Sequence, residues 1–105
     1  MEKIYILSLV GPSGSYDFKA FKDKNHAIIL KNKIDKWLME NPYEHTLKNY
    51  LEVTDGKLLI YDFDKTLEKI PSQVVNIPED IQEYLLNYAF GPFPDSYIIK
   101  ELEIV

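Results

Sequence analysis

The chain has 105 residues, 46% hydrophobic and 28% charged, with 4 Gly and 6 Pro, enough for one hydrophobic core and too ordered in composition for long low-complexity stretches. Its 12 basic and 17 acidic residues give a formal charge of -5, which works against unaided attraction to nucleic acid or anionic lipid. All the basic residues are Lys and there is no Cys, so arginine fingers, bidentate guanidinium recognition, disulfides, thiolate metal sites and cysteine nucleophiles are excluded.

Residues 3 to 10 are apolar on both alternating faces, Ile4, Ile6 and Val10 on one and Tyr5, Leu7 and Leu9 on the other, the pattern of a central strand covered on both sides. Gly11-Pro12-Ser13-Gly14-Ser15 breaks the run, and Tyr16, Phe18 and Ala20 resume it on one face, predicting a β-hairpin. Asp23 is placed to cap a helix from about 24 to 40, in which Ala27, Leu30, Ile34, Trp37 and Leu38 form one buried stripe until Asn41-Pro42 ends it. Tyr43, Leu47, Tyr50 and Leu51 fit a helical period while Tyr50 to Thr54 also reads as a strand, and Asp55-Gly56 decides for a hairpin pairing 50 to 54 with 57 to 63. One short edge strand fits between 64 and 77. Pro78, Glu79 and Asp80 suit a helix start, with Ile81, Tyr84, Leu85 and Tyr88 on one face until Gly91. A last strand runs from Tyr97 to Ile104.

The expected architecture is a single α+β domain over 1–105, a mainly antiparallel sheet with about two helices packed on it, in the order β-β-α-β-β-α-β. Its expected core is Ile4, Ile6, Phe18, Leu30, Ile34, Trp37, Leu59, Leu85 and Ile98.

Two segments carry the form of phosphate chemistry. Leu9-Val10-Gly11-Pro12-Ser13-Gly14-Ser15 resembles the opening of the Walker A loop of ATP-binding cassette ATPases. That family continues into Gly-Lys-Ser/Thr, where the Lys reaches the phosphates and a helix begins. Here the next residues are Tyr16-Asp17-Phe18, an aromatic and an anion leading into a strand, so the segment reads as a hairpin loop. Leu58-Leu59-Ile60-Tyr61-Asp62-Phe63-Asp64-Lys65-Thr66-Leu67 resembles the first motif of the haloacid dehalogenase superfamily of phosphatases and phosphotransferases. The resemblance implies Asp62 as nucleophile, Asp64 as general acid and base, Thr66 in phosphate placement, bound magnesium, and a doubly wound parallel sheet. Too few residues follow Thr66 for the later βαβ units that supply the rest of such a site, so the segment reads as a strand ending in a polar turn.

His26 and His45 lack partners at ligand spacing, and no Ser sits in an activating motif. No catalytic residue, metal site or cofactor is expected. The remaining chemistry is acidic and aromatic: Asp62 and Asp64, Glu79 and Glu83 one helical turn apart, Glu101 and Glu103 on one strand face, and Phe93 and Tyr97 in a Pro-stiffened loop. These residues suit a non-enzymatic protein-binding surface, in which carboxylates steer association with a basic partner and rings anchor it. The expected function is inhibition of a larger, often nucleic-acid-handling protein, as immunity proteins and phage-encoded anti-defence proteins do, without direct nucleic-acid or membrane binding. A structural or oligomer-forming subunit is the alternative, and a magnesium-dependent phosphatase-like site at Asp62, Asp64 and Thr66 comes after it. The use of Lys for Arg, with only Ala20, Ala27 and Ala89 as alanines, is that of an AT-rich genome such as a low-GC bacterium or its phage. The Glu2-bearing start lacks a small-x-small cleavage pattern and no run is long enough to span a membrane, giving a cytoplasmic expectation.

Overall fold

The computed structural model describes residues 2–12, 14–43, 49–62, 70–85 and 96–104. They belong to two units: Met1–Asn41 with Asp95–Val105, and Pro42–Pro94, which is inserted in the sequence between the helix and the last strand of the first.

In the first unit, β1 (Glu2–Gly11) runs between β2 (Gly14–Phe21) and β6 (Ser96–Ile104), antiparallel to both. The two ends of the chain are thereby paired, from Glu2↔Ile104 to Val10↔Ser96 without a register shift. On the other side a β-bulge interrupts the ladder between Leu7 and Ser8, with Leu7 opposite Lys19 and Ser8 opposite Asp17, so Phe18 is the extra residue. The bulge changes the phase of β2. Tyr16, Phe18 and Ala20, expected on one face by strict alternation, are not: Tyr16 shares the Leu9 row and Ala20 the Ile6 row.

The one α-helix among the described residues, α1 (Lys24–Glu40), begins where Asp23 takes extended backbone and its side chain accepts a hydrogen bond from the Asn25 N–H at 2.9 Å. It ends as Asn41 turns both its backbone N–H and its side-chain amide onto the Trp37 carbonyl, before Pro42. Ala27, Ile34 and Trp37 are its buried residues, and they pack α1 against the sheet on the face of Tyr5, Leu7 and Leu9. Leu30 and Leu38, the rest of the expected stripe, are half-buried.

In the second unit, β4 (Lys57–Asp62) lies between β3 (Asn49–Thr54) and β5 (Gln73–Asn76), again antiparallel. Asp55 (φ 51°) and Gly56 (φ 71°) both occupy the left-handed region that a two-residue hairpin turn demands, which settles 49–54 as strand. Leu51, Leu58 and Ile60 form the buried face, and Ile77, Ile81, Tyr84 and Leu85 complete the unit's core. The Ile77 N–H donates to the Gly56 carbonyl, and Ser72 fixes the start of β5 by donating its N–H and hydroxyl to Ile60 O.

Three expectations are corrected. The strands form two three-stranded sheets instead of one. The helix expected from Pro78 is absent over 78–85, where turns lead into a short 3-10 segment, Gln82–Tyr84; 86–95 lie outside the described residues. The Gln82 amide is spent on the Ile77 carbonyl, and Leu85 is already extended. A period of three also stacks Ile81 over Tyr84, burying both without an α-helix. The third correction is the phase of the core. Ile34, Trp37 and Leu85 are buried as expected, but Leu7 and Leu9 replace Ile4 and Ile6, Leu58 and Ile60 replace Leu59, and Tyr97 replaces Ile98, which is 37% exposed. Phe18 and Leu30 are half-buried. α1 covers the face on which Leu7 and Leu9 are buried, while Ile4, Ile6 and Val10 on the other face are half-buried.

Trp37→Ala is expected to cost about 3–5 kcal/mol by removing the largest buried side chain of α1; a thermal melt measures it, and an unchanged midpoint would refute the packing of α1. At Gly56 an added Cβ would lie 2.7 Å from the Gln82 side chain, in a backbone region that L-residues avoid. Gly56→Ala is expected to cost about 1–2 kcal/mol in backbone strain and about 1 kcal/mol more by displacing the Gln82 hydrogen bond, read as a lower urea midpoint.

Candidate protein-binding surface

Strand alternation sorts β6 into two chemistries. Tyr97, Ile99, Glu101 and Glu103 share the rows of Leu9, Leu7, Tyr5 and Lys3 and face the helix side, whereas Ile98, Lys100, Leu102 and Ile104 share the rows of Ser8, Ile6, Ile4 and Glu2 on the opposite side. Ile98, Leu102 and Ile104 are 37%, 48% and 46% exposed, and Ile4, Ile6 and Val10 beside them are half-buried. On this side β6 therefore exposes three aliphatic side chains, Ile98 separated from Leu102 and Ile104 by Lys100.

A polar cluster crosses this face. The fully buried Ser8 donates its hydroxyl to Asp17 Oδ1 at 2.6 Å, and Lys100 Nζ reaches the same oxygen at 3.0 Å and Ser15 Oγ at 3.4 Å. The bulge sets Asp17 in the Ser8 row. The Ser8 hydroxyl, then Lys100, hold the Asp17 carboxyl below its ordinary value. Lys100 is thereby engaged across the sheet instead of extending freely from the edge.

The other acidic candidates lie elsewhere. Glu101 and Glu103 are exposed on one face, as expected, with Lys3 Nζ 3.7 Å from Glu101 Oε1. Such an exposed pair contributes little to stability. Glu79 is exposed on a turn and Glu83 in the 3-10 segment Gln82–Tyr84, not one turn apart on an α-helix. Asp62 ends β4, half-buried opposite Asn49. Its strand has antiparallel neighbours on both sides, unlike the parallel sheet implied by the haloacid dehalogenase resemblance. Asp64, Thr66 and Phe93 lie outside the described residues.

Tyr97, expected as an exposed anchor, is corrected to a core residue: it is 4% exposed and its ring stacks on Phe18 at 6.1 Å. The β6 register places it beside Leu9 on the helix face. Sequence reasoning missed the apolar trio Ile98, Leu102 and Ile104 as surface, although the alternation of carboxylates with aliphatic residues after Ile99 carried the signal. It also missed a pair on the second sheet, where Tyr50 and Tyr61 stack at 4.8 Å from directly opposite positions. Burial, then Glu52, pushes the Tyr61 hydroxyl up.

Among the described residues no group of three or more His, Asp or Glu could hold a metal ion, and no helix is long and apolar enough to cross a membrane. His26 is exposed on α1, 3.8 Å from Asp23.

Because its folded pKa is lowered, Asp17 contributes stability that is present above its ordinary pKa of 3.8 and lost as pH falls through the folded value. Asp17→Asn is therefore expected to melt below the parent near neutrality, with the gap closing in acid. A gap that persists unchanged to pH 2 would show that the carboxylate charge is not what Ser8 and Lys100 stabilise.

Comparison with protein-family models, with curated proteins and with solved structures gives no match.

Proposed function

We propose that this chain is a non-enzymatic protein-binding module that occupies a basic surface of a larger, nucleic-acid-handling protein and so inhibits it, in the functional class of immunity-type and phage anti-defence inhibitors. The observation that supports this reading is the composition of β6, one ordered strand that carries exposed carboxylates, Glu101 and Glu103, on one side and exposed aliphatic side chains, Ile98, Leu102 and Ile104, on the other. The carboxylates, with a formal charge of -5, steer a basic partner into encounter. The aliphatic side chains, once desolvated, slow its departure. A strand fixes both sets in advance, so little side-chain ordering remains to oppose binding.

A self-associating structural subunit is the second reading, favoured by the same exposed aliphatic side chains, and sedimentation separates the two: the module is a monomer at micromolar concentration and the subunit is not.

The immobilised protein is expected to retain one dominant basic protein from the lysate of its source or host cells. The association rate of that complex should fall steeply as the screening length shrinks from about 30 Å at 0.01 M salt to about 8 Å at 0.15 M, and inhibition of the partner's nucleic-acid binding should follow occupancy. A partner whose association is indifferent to salt, or a stable oligomer with no partner, would overturn the proposal. Magnesium-dependent turnover of a phosphomonoester, abolished by Asp62→Asn, would overturn its non-enzymatic part.

A further inference from the structure

We infer that the outer edge of β6, from Ile98 to Ile104, binds an extended segment of the partner as an added antiparallel strand, one that alternates apolar and basic residues. The inference rests on the proposed protein-binding function and names the chemistry of what that surface takes.

Three observations carry it. The first is that β6 is the last strand in the order β2-β1-β6, and no described strand pairs with its outer side. A strand in that position presents a row of backbone donors and acceptors to an incoming chain. The second is regularity. β6 keeps an unbroken register with β1 over its whole length, whereas β2, the other edge of this sheet, is interrupted by the bulge at Phe18, a device that blunts an edge. The edge strands of the second unit are shorter, six residues in β3 and four in β5 against nine in β6.

The third observation is charge complementarity between the faces. Residues directly opposite in an antiparallel pair lie on one face of the sheet. An added strand thus sets one alternate set of side chains beside Ile98, Lys100, Leu102 and Ile104 and the other beside Ile99, Glu101 and Glu103. Lys100 is held across the sheet by Asp17, so the first set meets an aliphatic surface and the second meets two exposed carboxylates. Apolar residues fit the first and Lys or Arg the second. A second copy of this chain fits poorly. In the two-fold antiparallel register that uses all of β6, Ile98 faces Leu102, but Ile99 faces Glu101 and Tyr97 faces Glu103, which sets both carboxylates against apolar side chains instead of cations.

The test uses a blocked seven-residue peptide, Val-Lys-Val-Lys-Val-Lys-Val, with a Val-Glu-Val-Glu-Val-Glu-Val control, titrated into the full chain and followed by amide-resolved NMR and hydrogen exchange. The Lys peptide is expected to bind with shifts and new protection along Ile98–Ile104 and none along β2. Methylating one alternate set of its backbone amides should weaken binding at least about tenfold more than methylating the other, because only one set faces the edge. Glu101→Lys with Glu103→Lys, both exposed, should lower the melt only slightly, through repulsion from Lys3, while weakening the Lys peptide about tenfold and strengthening the Glu peptide. Absence of binding at millimolar peptide, shifts outside β6, equal tolerance of both methylated sets, or indifference to charge reversal would each overturn strand addition. If the natural partner binds the charge-reversed variant as well as the parent, strand addition fails while the protein-binding function stands. If no partner exists and the Lys peptide still pairs with β6, the edge stands and the function fails.

Discussion

The pairing of β1 with β6 is the constraint on which the first unit depends. It joins the two ends of the chain, so the unit cannot complete its sheet until everything between α1 and β6 has been traversed. Contacts this distant in sequence carry the largest loop-closure entropy and form against it. The apolar content of β1 offsets that cost: as the central strand it pairs along both edges, and its Leu7 and Leu9 are interior. The second unit needs no such closure. Its strands follow one another in sequence, the first two joined by a turn whose Asp55-Gly56 pair accepts the required positive φ.

Among the described residues, α1 is the one α-helix that packs on the first sheet. A three-stranded sheet with α1 on one face leaves a second face whose central positions, Ile4, Ile6 and Val10, are as apolar as those inside. Evolution has not made that face uniformly polar. It carries instead one internally satisfied cluster, Ser8 with Asp17 and Lys100, surrounded by aliphatic side chains. Burying Ser8 without a partner would cost about 1–3 kcal/mol, so the bulge that puts Asp17 in its row is a structural requirement as well as a break in the β2 edge. One irregularity thereby satisfies a buried hydroxyl, engages Lys100, and leaves β6 as the uninterrupted edge of the sheet.

The acidic balance of the chain acts through position. Glu79 is exposed on a turn and Glu83 in the 3-10 segment, where its side chain is hydrogen-bonded with Tyr84. Glu101 and Glu103 stand on a strand fixed by nine register pairs, and therefore keep their spacing in the free protein. A ligand that matches that spacing gains from preorganisation, and on β6 the carboxylates alternate with exposed aliphatic side chains.

The sequence by itself determined what rests on local chemistry. The Asp23 cap, the length of α1 to Asn41-Pro42, the Asp55-Gly56 hairpin, a short edge strand before Ile77 and the final strand are each written in a few consecutive residues, because caps and tight turns are decided by the backbone preferences of those residues alone. Pro78-Glu79-Asp80 carried the same kind of helix-start signal. It was overridden when burial of Ile81, Tyr84 and Leu85 and the bond from Gln82 to Ile77 favoured a tighter turn. Only the tertiary structure decided which face of each strand is interior. In Lys-Ile-Tyr-Ile-Leu-Ser-Leu-Val and Leu-Leu-Ile-Tyr the apolar side chains fall on both faces, so alternation has no phase until a helix or a neighbouring segment takes one side. The same choice moved Tyr97 from surface to core and Ile98 from core to surface, one residue apart, since neighbours on a strand point to opposite faces. The division into two sheets was likewise invisible in the sequence, where nothing local records that β6 returns to β1 instead of continuing from β5.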